Sequence, residues 1–114
     1  MKRESPSRGG ALVQGTLDML LLRVLALEPM HGYGVTQRIT QISQGTFEVL
    51  PGSLFPAFRR LEREGLVKSE WRATENNRRA KYYRITEPGR RQLKVETQDW
   101  QRQALAITRI LAGT

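Results

Sequence analysis

Two groups of cationic side chains carry the chemistry this chain is equipped to do. Arg59 and Arg63 lie four residues apart, so on a helix they share one face. Arg78, Arg79 and Lys81 form a second cluster further on. Guanidinium and ammonium groups pair with phosphate oxygens, and arginine also fits the two acceptors on the edge of guanine. From Arg78 to Lys94 seven basic residues face a single acid, Glu87, a local balance of +6 within a chain total of +8. An excess that dense points to a polyanion as partner.

Other chemistry finds little support. There is no cysteine, hence no disulfide framework and no thiolate metal site. His31 is the only histidine and has no acidic cluster near it in sequence, so a structural role at the start of a helix is expected. Neither a nucleophile–base set nor a pair of carboxylates emerges, which makes an enzyme the least favoured class, with no metal and no cofactor. Gly32-Tyr33-Gly34 lacks the preceding strand and the spacing of a dinucleotide fingerprint. Two readings stand for its small residues: close approach of a helix N-terminus to a phosphate, or plain helix packing.

The first basic pair must sit on a helix. Leu54, Phe58 and Leu61 follow the i, i+4, i+7 pattern of a buried stripe, with Phe55, Arg59 and Arg63 opposite. Ser53 reads as the N-cap, Pro56 as a first-turn residue and Gly65 as the left-handed stop. Glu62 and Glu64 are expected to face away from phosphate. Residues 66–72 and 80–85 are rich in strand formers, with a polar tip, Thr74 to Arg79, between them. A basic helix followed at once by such a hairpin is the pattern of a winged helix-turn-helix. Tyr82 and Tyr83 alternate across the second strand, so one belongs to the core; Trp71 reads as hydrophobic packing.

At 114 residues one domain is the default, and 39% hydrophobic residues supply one modest core. The apolar runs are too short to span a bilayer, and the charged start of the chain is unlike a signal peptide. A cytoplasmic protein with no membrane partner is therefore expected. Residues 1–11 read as a flexible arm, 12–86 as the winged unit and 87–114 as a C-terminal helix. Leu17, Leu20, Leu21, Val24 and Leu25 predict a first helix over 16–27, ended by Pro29. Met19 and Leu22 lie off that stripe and suggest a second apolar contact. A second helix is predicted over 32–43, and Phe47-Glu48-Val49 as a small strand pairing with the wing. The last helix, over 87–111, carries Leu93, Trp100 and Ile107 spaced by seven, with Thr97, Ala104 and Leu111 offset by four. Such a heptad seam calls for a partner helix, most simply from a second copy of the chain.

Four ordered motifs, Gly15-Thr16-Leu17-Asp18, Met30-His31-Gly32-Tyr33-Gly34, the run from Pro51 to Ala57 and the run from Arg78 to Thr86, closely resemble PadR-like transcriptional regulators. The resemblance spans about Leu12 to Leu111. It implies a mainly α fold with a small β-wing, a homodimer held by its C-terminal helix, and repression at an inverted repeat, often relieved by a small molecule. With one helix after the wing, the chain looks like the shorter branch. The family usually has tyrosine where this chain has Phe55, which can meet a thymine methyl but cannot hydrogen-bond.

The expected interface with double-stranded DNA follows. Ser53, Phe55, Pro56 and Arg59 are assigned to the major groove, and Arg78, Arg79 and Lys81 to the backbone. Tyr33, Thr36 and Gln37 are candidates for further phosphate contacts. Met19, Leu22, Leu93, Trp100, Ala104, Ile107 and Leu111 are assigned to the dimer interface. Trp100 there either packs between subunits or lines a pocket for an aromatic effector. Two rivals share the charge pattern: a non-specific architectural DNA-binding protein, and a winged helix serving as a protein-interaction module.

Overall fold

The computed structural model describes residues 15–113; the arm expected over 1–11 lies outside them. The elements run α1 (Leu17–Leu27), β1 (Met30–His31), α2 (Gly32–Ile42), α3 (Pro51–Arg63), β2 (Val67–Ala73), β3 (Arg79–Ile85) and α4 (Glu87–Ala112). This is a mainly helical winged helix-turn-helix with a three-stranded antiparallel sheet of order β1-β3-β2 and a long C-terminal helix.

The sheet departs from the expected strands. Its third member is β1, paired through Met30↔Tyr83 and His31↔Tyr82, not residues 47–49. Phe47 forms only an isolated β-bridge outside this sheet, while its N–H donates to Ser43 Oγ at 3.1 Å and its C=O accepts from Thr40 Oγ1 at 3.3 Å. Val49 instead buries its side chain in the core and anchors the connection to α3.

The start of α3 also shifts. Leu50 is extended (φ −90°, ψ 156°), as the residue before a proline must be. Its C=O accepts from the Ser53 and Leu54 N–H groups at 2.9 and 3.0 Å. Leu50 is thus the N-cap and Pro51 the first helical residue; Ser53 caps nothing. Pro56 falls inside the helix instead of its first turn, and having no N–H it cannot make the usual i→i−4 bond to the Gly52 carbonyl. The far end matches expectation. Gly65 is left-handed (φ +76°), with Gly65 N–H bonded to Glu62 C=O and Leu66 N–H to Leu61 C=O.

The core gathers Leu21, Leu22 and Leu25 of α1, Val35 and Ile39 of α2, Leu54, Phe58 and Leu61 of α3, and Val67, Tyr83 and Ile85 of the hairpin. Phe58 stacks on Tyr83 with centroids 3.9 Å apart and planes 7° from parallel, fixing α3 on the sheet. Leu22 is fully buried here, so the partner-facing role expected for it does not hold: both apolar faces of α1 are spent within the chain.

Thr86 joins α4 to the wing. Its hydroxyl accepts from Gly89 N–H at 3.0 Å and donates to Gly65 C=O at 2.7 Å, while its N–H donates to Leu66 C=O at 3.0 Å. Gly89 is required there, because a Cβ would stand 2.2 Å from the Leu66 carbonyl oxygen. Further along, α4 packs on α1 and then leaves the body of the molecule.

Candidate nucleic-acid interface

Helix α3 is positioned on three sides. Asp18 of α1 accepts from Arg60 at 2.5 and 3.4 Å, and this hydrogen bond raises the Arg60 pKa above its ordinary value. Glu62 accepts from Ser69 Oγ of β2 at 2.5 Å and lies 3.9 Å from Lys81 Nζ of β3. On the α2 side, Phe55 closes on Gly32, where a Cβ would meet its ring at 3.0 Å. At Gly34, by contrast, a Cβ would make only ordinary contact, 3.5 Å from the His31 ring. Gly32 therefore serves packing against α3. His31 is its N-cap, Nδ1 accepting from Gly34 N–H at 3.0 Å.

What remains outward is a strip of Pro56, Arg59 and Arg63 opposite the buried Leu54, Ala57, Phe58 and Leu61, with Ser53 exposed beside it. Because α3 starts early, Arg59 lies in its C-terminal half, and Ser53 and Pro56 occupy the half that usually meets bases. Between the N-terminal halves of α2 and α3 runs a groove of about 490 Å³ lined by Tyr33, Thr36, Gln37, Leu50, Pro51, Phe55 and neighbours. Tyr33 is 67% exposed at its rim. Thr36 has its hydroxyl proton committed to Tyr33 C=O at 2.8 Å, so it offers only an acceptor and makes a poor phosphate contact.

The wing turns at Thr74–Arg78, where Asn77 is left-handed (φ +63°) and donates to Thr74 C=O at 3.0 Å. Arg78, Arg79 and Arg84 are exposed. Lys81 is less free than expected, since Glu62 draws its ammonium toward α3. Tyr83 is the core tyrosine, its pKa raised by burial and by Glu62 against the opposing pull of Arg59. Tyr82 instead meets His31 edge-on at 5.5 Å and carries the Arg72 guanidinium 4.7 Å from its centroid. Trp71 is not packed in the core. It is 57% exposed, with Arg79 over its ring at 5.4 Å. Val67 and Ser69 share its face of the strand, and Val67 is buried while Ser69 bonds Glu62 of α3, so alternation alone did not show that Trp71 is exposed.

The family model for "Transcriptional regulator PadR-like family" matches residues 21–95, from α1 through the wing into α4. The chain belongs to the PadR-like family of transcriptional regulators. A transcriptional regulator of Mycobacterium tuberculosis, Rv3488, is 37% identical over 70 residues, covering 61% of this chain and 62% of that protein. Among solved structures, a PadR family regulator from Eggerthella lenta superposes with a TM-score of 0.76 at 32% identity, covering 89% of this chain and 86% of the other. A transcriptional regulator from Clostridium thermocellum gives 0.77 at 28% identity, covering 84% and 93%.

In this PadR-like chain the α4 residues are split. Leu93 packs against the chain's own core, and Trp100 and Ala104 are half-buried. Met19, Trp100 and Ile107 line a cavity of about 330 Å³ between α1 and α4, together with Glu96 and Asp99. Outside its lining Leu105, Ile110 and Leu111 are exposed, Leu111 by 80%. No helix among the described residues is long and apolar enough to cross a membrane.

Proposed function

We propose that this regulator is a cytoplasmic, homodimeric repressor, without catalytic activity, that reads an inverted repeat in double-stranded DNA. The winged unit, up to residue 86, forms the reading unit and α4 the dimerisation helix. The observation that carries this reading is the outward strip of α3, with Arg59 and Arg63 facing solvent beside a wing whose arginines are also exposed. Ser53, Phe55, Pro56 and Arg59 meet base edges, while Arg78 and Arg79, with Tyr33 and Gln37, hold phosphates and set the register. The exposed apolar end of α4 supports pairing with a second copy. A planar aromatic effector fits the α1–α4 cavity, where Trp100 offers a stacking face.

The test is a salt titration of duplex binding. Each neutralised phosphate steepens the log–log dependence by about 0.9, so affinity falls sharply as salt rises. Binding that stays constant from low to high salt contradicts the reading, and so does a protein with no affinity for duplex DNA at low salt.

A further inference from the structure

The two faces of the wing treat their cations differently. On one face Arg72 lies over Tyr82 but also pairs with Glu70 at 2.8 Å, so its charge is answered within the chain. On the other face Trp71 stands opposite Lys81 in the ladder, and the Arg79 guanidinium lies over its ring, 5.4 Å from the centroid. Among the described residues no carboxylate reaches Arg79 within salt-bridge distance. The difference matters chemically. A carboxylate consumes the in-plane N–H donors of a guanidinium, whereas an aromatic face engages its π surface and leaves those donors free. Trp71 also fails to repay its exposure by packing, since more than half of it meets solvent.

We infer that Trp71 is a positioning residue for DNA binding. It holds the Arg79 side chain beside its ring, unpaired with any described carboxylate, so that less rotamer freedom is lost when a phosphate docks. The inference rests on the reading of Arg79 as a backbone contact and adds what makes that contact effective. The partner atoms are the phosphate oxygens of duplex DNA, reached without regard to sequence.

The experiment is a double-mutant cycle on the full chain. Wild type, Trp71→Leu, Arg79→Ala and the double variant are titrated with a random-sequence duplex at several salt concentrations. Pre-ordering one rotamer-rich side chain corresponds to roughly two- to tenfold in affinity, so Trp71→Leu should weaken binding by that factor. In the Arg79→Ala background the same change should do nothing. Arg79→Ala itself should lower the salt slope by about 0.9. Trp71→Phe, which keeps a ring, should recover part of the loss. Thermal midpoints of Trp71→Leu and wild type should agree, because the side chain is exposed. Equal losses for Trp71→Leu with and without Arg79 overturn the positioning role and leave the wing contact standing. An unchanged affinity for Trp71→Leu overturns it too. An Arg79→Ala variant with unaltered affinity and slope removes both the positioning role and the wing contact beneath it.

Discussion

Arg59 and the wing arginines differ in what they are asked to do, and substitution separates them. Arg78→Ala with Arg79→Ala should weaken preferred and random duplexes alike, because phosphates carry no sequence. Arg59→Ala should cost more on the preferred site, on the order of 1–3 kcal/mol if it pairs with guanine. Competition binding with both duplexes measures this, and equal losses for Arg59→Ala would count against its place in the groove. Tyr83 gives a pH prediction. Burial raises its pKa above the ordinary 10.0, so the fold favours the neutral phenol. That stabilisation is complete below the unfolded value and is lost as the pH rises through the folded one. The thermal midpoint should therefore drop on the alkaline side, and Tyr83→Phe should flatten that limb. Residue types alone located the cations, because charge clusters are visible in any sequence. They did not show that Lys81 leans toward Glu62 or that Thr36 spends its proton, since those partners are distant in sequence or depend on helix geometry.

At the scale of elements, periodicity made the helices legible. The stripe of α1 and the strand-forming runs of the hairpin set their places to within a residue or two, whereas α3 begins three residues before the expected start. The start of α3 was misread because Ser53 is a good cap in isolation, whereas Pro51 decides the matter by forcing Leu50 into the extended region. The strand β1 has two residues and no pattern of its own. Its existence depends on Tyr82 and Tyr83 lying alongside. The junction of wing and α4 was equally hidden, since a glycine in a helix gives no sign of what its missing Cβ avoids. Gly89→Ala tests that junction. With Leu66 O 2.2 Å from the added carbon, α4 must shift away from the turn. A stability loss of roughly 1–3 kcal/mol, in the range of overpacked sites, is expected in urea unfolding. Wild-type stability in Gly89→Ala would show that α4 docks by other contacts.

At the scale of the whole molecule the account turns on two copies of the chain. Most of α4 beyond Trp100 is exposed, and Leu105, Ile110 and Leu111 present more than half of their surface to solvent. Leu111→Gln removes one of them from a position 80% exposed, so the single-chain fold is untouched while the dimer loosens. Trp100→Ala acts more strongly, by about 3–5 kcal/mol for an aromatic buried on pairing. Sedimentation should show both variants shifted toward monomer, and an unchanged dimer in both would remove α4 as the interface. The seven-residue repeat flagged α4 as a partner-seeking helix but overstated the seam, because Leu93 serves the chain's own core. The most direct test of the account is to select DNA with this protein from a random pool and sequence what it retains. The enriched molecules should share an inverted repeat with half-site centres one helical turn apart, about 34–36 Å. A retained pool with the same sequence composition as the input, from a protein that still binds duplex DNA, would contradict a sequence-reading regulator.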